Sequence, residues 1–166
     1  MSHETQGQVP GRVSSYLWPP PLALLVAVAL WLAACGGGDS SSKATTDYKA
    51  GARAAAAKLG KQTDALIKDM QAAQTSQSDP KWAGILNGDS DLVTSAATEL
   101  KALTPPAGAM TTAQSRLARA ADQLISAAAL MKQTVETGDA ATGAQAYLGL
   151  TQGRGSLTDA SAAVAK

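Results

Sequence analysis

Apolar side chains recur every three or four residues along most of this chain, and this spacing constrains the fold more than any other feature. Leu117, Leu124 and Met131 show it most clearly, with alanines in the same register. Steps of three and four residues place side chains on one face of an α-helix. The chain is also rich in alanine and contains no phenylalanine, a composition typical of helices. The sequence therefore predicts an all-α protein.

Helix-breaking and capping residues divide residues 47–166 into four predicted helices. The first helix is expected to end around Gln77, and Gly138 and Asp139 form the boundary between the third and fourth helices. Glycine commonly ends a helix in a left-handed conformation, and aspartate commonly caps the next one. Four amphipathic helices with short connectors predict an antiparallel four-helix bundle.

The segment "DPKWAGILNGDSD" is predicted to be the connector between the first and second helices. Asp79-Pro80 is typical of a helix start, and Asn87-Gly88 is typical of a turn. The segment is therefore expected to contain a single helical turn, with the second helix capped at Ser90 or Asp91. This helix is expected to end at "TPP", residues 104–106, because proline cannot continue a helix.

Cys35 is the only cysteine of the chain, and it follows an apolar run of 13 residues, 22–34. A single thiol cannot form an internal disulfide and has no partner for a zinc site. The apolar run is too short for a membrane-spanning helix, which needs about 20 residues, but it fits the core of a signal peptide. The cysteine therefore needs a role at the end of a targeting segment.

The residues around Cys35 resemble the lipobox of bacterial lipoproteins. The motif is Leu32-Ala33-Ala34-Cys35, in which Leu32, Ala33 and Ala34 would be recognised by the signal peptidase. The resemblance implies that residues 1–34 are cleaved off. It also implies that Cys35 becomes the first residue, with a diacylglycerol on its sulfur and an N-acyl chain. No other cofactor is expected.

A lipid-bearing Cys35 predicts a protein of the bacterial cell envelope. Two or three acyl chains hold a protein at a bilayer almost permanently. Residues 35–46, which are rich in glycine and serine, are expected to form a flexible tether to the domain 47–166. For a host with two membranes, the family's sorting rule and Gly36 imply the outer membrane. In a host with one membrane, the outer face of the cell membrane is the only place left for such a protein.

Residues for catalysis are scarce after the predicted cleavage site. The only histidine is His3, and Cys35 is blocked by lipid, so neither imidazole nor free thiol remains. Acidic residues beside the apolar stripes are expected to be solvated, with Asp64 and Lys68 as an ordinary pair four residues apart. Asn87, Asp89 and Asp91 imitate a calcium loop, but a capped helix start is the better interpretation. The sequence predicts neither an enzyme nor a metal site.

Trp82 and the fourth helix remain as candidate binding features. Trp82 either plugs the end of the bundle or is an exposed aromatic anchor. Gly149, Gly153 and Gly155 are expected to interrupt the fourth helix, either for close approach to a neighbouring helix or as a kink. Alternatively, Arg154 directs its guanidinium inward to a carboxylate or to an anionic ligand.

Two functions remain open from the sequence. The first is a non-catalytic interaction or structural module of the envelope, held at the membrane and in contact with other envelope proteins. The second is a bundle that binds an apolar or anionic small molecule near Arg154, Tyr48 and Tyr147. The net charge of +1 gives no basic surface, so a nucleic acid partner is not expected.

Overall fold

A computed structural model describes residues 39–76, 79–108 and 110–165 of the chain. These residues form four α-helices: α1, Asp39–Thr75; α2, Lys81–Lys101; α3, Met110–Thr137; and α4, Ala140–Ala165. They all belong to one compact unit. No strand occurs among the described residues, so the predicted all-α class is confirmed.

The helices form an antiparallel bundle in which each helix packs against its two neighbours in the ring α1–α2–α3–α4. The direction of each pair follows from contacts between early residues of one helix and late residues of the next. For α1 and α4, Arg53 donates a hydrogen bond to the Ala165 carbonyl, whereas Gln71 contacts Tyr147. The predicted antiparallel four-helix bundle is therefore confirmed.

Leucine and alanine dominate the core between the helices. The larger fully buried side chains are Leu59, Leu66, Val93, Leu100, Leu117, Leu124, Leu150, Leu157 and Val164. Alanines such as Ala97, Ala121 and Ala128 fill the space between them and are completely buried. Small residues at these positions let the helix axes approach closely, and the leucines then interdigitate.

The first helix begins earlier than the sequence indicates. Residues 39–46, assigned to the tether by the sequence, are helical, and Tyr48 is the first buried side chain of α1. The hydroxyls of Thr45 and Thr46 donate to carbonyls four residues earlier, at 2.9 and 3.0 Å. Extending a packed helix adds one hydrogen bond for each residue fixed, so the first turns can form outside the core. The rest of the predicted tether lies outside the described residues.

The connector predicted around Trp82 is wrong, because α2 runs without interruption from Lys81 to Lys101. Asn87 and Gly88 lie inside the helix, and Ser90 does not cap it. Instead, the buried Ser90 hydroxyl donates to the Leu86 carbonyl at 2.7 Å. The buried stripe of α2 continues through this segment, and its burial outweighs the local turn preference of Asn-Gly.

Two helix boundaries agree with the sequence. Gly138 ends α3 with φ of 69°, and its amide donates to the Thr134 carbonyl at 2.8 Å. The Asp139 carboxylate then accepts hydrogen bonds from the amides of Ala141 and Thr142, which caps α4. These hydrogen bonds, from the Thr142 hydroxyl first and then from the two amides, lower the pKa of the Asp139 carboxyl.

Candidate functional site

An open groove of about 830 Å³ lies at one end of the bundle, where α1 and α3 end and α2 and α4 begin. Its apolar wall comes from Met70, Leu86, Met131 and Val135 together with Trp82. Small residues complete the lining at the ends of the helices, namely Ala73, Ala83, Gly138, Ala140, Gly143 and Ala144. Because these side chains are too small to fill the space, the bundle remains open at this end.

The groove lies at the opposite end of the bundle from the start of α1. This helix has 37 residues from Asp39 to Thr75. At 1.5 Å per residue it is about 55 Å long. Met70 and Ala73, in its last two turns, line the groove. About 45 to 50 Å therefore separate the groove from Asp39.

Trp82 forms part of the groove wall. It is neither a fully buried plug of the bundle end nor a fully exposed aromatic anchor, the two roles expected from the sequence. Its side chain is half-buried, and its Nε1 donates to the Ser76 hydroxyl at 2.8 Å. This hydrogen bond ties the first turn of α2 to the end of α1. The ammonium of Lys81 lies 5.2 Å from the centre of the indole ring.

Asp79 contributes the only charged side chain among the described residues that line the groove. Its Oδ1 accepts a hydrogen bond from the Lys81 amide at 3.0 Å, and its Oδ2 lies 2.7 Å from the Lys81 ammonium. These bonds from Lys81 lower the pKa of the Asp79 carboxyl, so it is ionised at neutral pH. A helix thus starts at Asp79-Pro80, as the sequence indicates, but this helix is α2 itself rather than a separate turn, and Asp79 places a carboxylate at the groove.

Arg154 and Tyr147 lie on the seam between α1 and α4, and neither of them lines the groove. The Arg154 guanidinium forms two hydrogen bonds with the Asp64 carboxylate, at 2.9 and 3.1 Å. The predicted Asp64–Lys68 pair is therefore wrong, because Asp64 pairs across the helix interface instead. The Tyr147 hydroxyl accepts a hydrogen bond from Gln71 at 3.1 Å. The structure does not bring these residues together with Trp82.

The fourth helix is continuous, so the glycines do not interrupt it. A Cβ atom at Gly149 would lie 2.9 Å from the Ala127 Cβ, and one at Gly153 would lie 2.8 Å from the Leu124 side chain. These two glycines allow α4 to approach α3 closely. Close approach to a neighbouring helix, rather than a kink, is therefore the confirmed explanation for Gly149 and Gly153. Gly155 has open space around it and makes no such approach.

A buried polar cluster at the other end of the bundle joins three helices. The Tyr48 hydroxyl donates to Gln114 Oε1 at 2.7 Å, and Gln114 Nε2 donates to the Leu100 carbonyl at 3.2 Å. Burial raises the pKa of Tyr48. All polar atoms named here have partners within the protein, so the arrangement is suited to fixing helix register. It offers no free group to a ligand.

Two carboxyl groups, Asp69 and Asp89, meet between α1 and α2, a pairing that the sequence does not predict. Asp89 Oδ2 is buried and accepts no hydrogen bond. Burial, and then the neighbouring Asp69 carboxyl, raise the pKa of Asp89 to about 6. If one of the two carboxyl groups is protonated, its O–H can donate a hydrogen bond to an oxygen of the other carboxyl group.

The described residues contain no group of three or more His, Cys, Asp or Glu side chains that could hold a metal ion. Asn87, Asp89 and Asp91, which imitate a calcium loop in the sequence, lie within α2 and therefore do not form one. Cys35 and the motif residues Leu32, Ala33 and Ala34 lie outside the described residues.

Comparison with known proteins finds no family model, curated protein or solved structure that matches this chain. Among the helices that the structure describes, none is both long enough and apolar enough to cross a membrane.

Proposed function

We propose that this chain is a lipid-anchored, non-catalytic binding module of the bacterial cell envelope. The Leu32-Ala33-Ala34-Cys35 motif supports the anchor, since it follows an apolar run of signal-peptide length. Helix α1 begins at Asp39, only four residues after Cys35. At most about 14 Å of extended chain separate these two residues, so the anchor would lie close to one end of the bundle.

The observation that carries the proposal is the position of the groove. It opens at the far end of the bundle from Asp39, and α1 alone is 37 residues long. A lipid on Cys35 would hold one end of the bundle near the bilayer, and the groove would open about 45 to 50 Å from that end. This arrangement suits a module that presents a binding site away from the membrane.

Two kinds of partner fit such a module, namely another envelope protein and a small molecule. The groove favours the small molecule, because a volume of about 830 Å³ is within the range of small-molecule sites. A stable protein interface needs about 800 Å² of surface from each partner, more than a groove of this kind offers alone. The binding region expected around Arg154 and Tyr147 is replaced in this proposal by the groove.

Mass spectrometry of the intact protein from the membrane fraction tests the anchor. We expect a chain that begins at Cys35 and carries diacylglycerol. The Cys35→Ala variant should retain residues 1–34 and carry no lipid, whereas a Gly38→Ala control should be processed normally. A full-length, unmodified chain free in the cytosol would overturn this part of the proposal.

A photo-crosslinking amino acid placed at Ala83 tests the nature of the partner in intact cells. Ala83 is exposed and lines the groove, and Ala57, exposed on α1, provides the matched control. A protein adduct at position 83 but not at position 57 would favour an envelope protein as the partner. An adduct of small mass confined to position 83 would support the small molecule.

A further inference from the structure

The charge of the groove is concentrated at one point. Asp79 is the only charged side chain among its described lining residues, and the other polar side chains there, Gln74 and Thr134, are neutral. Among the lining residues, an anionic ligand would therefore meet a carboxylate and no cation, since Lys81, which pairs with this carboxylate, does not line the groove. A cationic ligand would find a complementary partner.

A cation already lies at this point of the structure. The Lys81 ammonium is 2.7 Å from Asp79 Oδ2 and 5.2 Å from the centre of the Trp82 ring. A carboxylate and an aromatic face on one cation form a combination that proteins use to bind organic ammonium groups. The Lys81 side chain is 58% exposed, and an exposed ion pair contributes little to stability. Another cation can therefore displace it without disturbing the fold.

The rest of the groove wall suits the apolar part of a ligand. Met70, Leu86 and Met131 are buried, and all three line the groove. Methionine side chains adapt to ligand shape through their flexible thioethers. Asp79 and Trp82 belong to the same groove, so one molecule can contact the charged point and the apolar wall together.

We propose that the groove binds a small organic cation with an apolar body, whose charged group takes the position of the Lys81 ammonium between Asp79 and Trp82. The apolar body lies against Met70, Leu86 and Met131. This inference rests on the binding role proposed above, but it does not depend on the lipid at Cys35.

Methionine methyl NMR of the protein as purified from cells, held in lipid nanodiscs, tests the proposal, with benzyltrimethylammonium as the probe. The sequence has four methionines, of which Met70 and Met131 line the groove. Met110 is the internal control, because it lies 21 residues before Met131 on α3, about 30 Å away. We expect the probe to shift the signals of Met70 and Met131 and to leave that of Met110 unchanged. Benzyl alcohol and phenylacetate are the neutral and anionic probes with the same aromatic ring.

Three variants separate the roles of the groove residues. Asp79→Asn keeps a residue that caps helices well, so α2 should remain folded, but the affinity for the cation should fall at least tenfold. Trp82→Leu should weaken binding similarly. Lys81→Ala removes the competing ammonium and should strengthen binding several-fold. Asp122→Asn, whose carboxylate pairs with Lys101 outside the groove, is the control and should leave binding unchanged.

The outcomes distinguish this inference from the proposed function. Equal shifts with phenylacetate, or undiminished binding by Asp79→Asn, would overturn the preference for a cation while leaving the groove as a binding site. If no probe shifts Met70 or Met131, the groove is not a small-molecule site, and both this inference and the small-molecule role fail. None of these results bears on the lipid anchor, which mass spectrometry tests separately.

Discussion

The guanidinium of Arg154 forms a bidentate ion pair with the Asp64 carboxylate and joins α4 to α1. The two nitrogen–oxygen distances are 2.9 and 3.1 Å. The Arg154 side chain also covers Gly60, where a Cβ atom would lie 3.1 Å from the guanidinium carbon. Both partners keep contact with solvent, with side-chain exposures of 35% and 57%. The pair therefore belongs to the surface of the bundle rather than to its core.

Substitution of Arg154 should have a small effect on stability. Exposed ion pairs contribute about 0 to 1 kcal/mol, so we expect Arg154→Met to change the free energy of unfolding by less than about 1 kcal/mol. Urea denaturation followed by circular dichroism measures this change, and a double-mutant cycle with Asp64→Asn isolates the pair. Lys58→Met, in the exposed Lys58–Glu99 pair, is the matched control. A loss above about 3 kcal/mol would show that the pair behaves as a buried one.

Replacement by alanine should change the free energy of unfolding in opposite directions at two glycines of α4. Gly153→Ala places a methyl 2.8 Å from Leu124 Cδ2, so the buried Leu124 side chain or the backbone of the two helices must shift. We expect a loss of about 1 to 3 kcal/mol in the free energy of unfolding. Gly155 is exposed with no atom near its Cβ position, so Gly155→Ala should stabilise the helix by about 0.5 to 1 kcal/mol. Thermal unfolding of both variants checks the contrast, and similar shifts for the two would refute it.

The Tyr48 hydroxyl should matter more to stability than the Tyr147 hydroxyl. Tyr48→Phe removes the donor to Gln114, a side chain only 9% exposed, and leaves its carbonyl oxygen without that partner. We expect a loss of about 1 to 2 kcal/mol. Tyr147→Phe removes an exposed hydrogen bond with Gln71, which water can replace, so its effect should be close to zero. Denaturant midpoints of the two variants provide the measurement, and a larger effect for Tyr147→Phe would contradict the assignment.

The Asp69–Asp89 carboxyl pair should make stability depend on pH. The pKa of Asp89 is raised from 3.8 to about 6 in the folded chain. Between these values the folded state keeps a proton that the unfolded state releases, so the free energy of unfolding should fall as pH rises from about 4 to 6 and then level off.

Asp89→Asn should remove this pH dependence, because an amide supplies the missing donor without a charge. We expect it to stabilise the chain at pH 7.5 by about 1 to 2 kcal/mol, with solvent screening of a half-buried carboxyl taken into account. The measurement is denaturation at a series of pH values. Asp122→Asn, in an exposed pair with Lys101, should retain the fall in stability between pH 4 and 6. An unchanged profile for Asp89→Asn would disprove the role of this carboxyl.

Sequence patterns located the helix boundaries well where the capping chemistry is local. Gly138 and Asp139 end one helix and start the next through their own backbone and side-chain bonds, so neighbouring residues suffice to predict them. The same reasoning failed at Asn87-Gly88. There the local preference for a turn competes with burial of Leu86 and Ser90 on either side, and burial wins.

The groove could not be predicted from the sequence in the same way. Met70, Leu86 and Met131 come from three helices, and each looks like an ordinary core residue in its own segment. Ala73, Ala83 and Ala144 leave the space open only because they meet at the same end of the bundle. Their meeting depends on the register between helices, which helical periodicity does not define.

By itself, the sequence determined that this chain forms four amphipathic helices, because periodicity and capping act between residues close together in the chain. It also provided the motif at Cys35 on which the proposed anchor depends. Only the tertiary structure decided which charges pair, where α4 approaches α3 and where the bundle stays open. These features depend on distances between residues such as Asp64 and Arg154, which lie 90 positions apart and meet only when the helices pack.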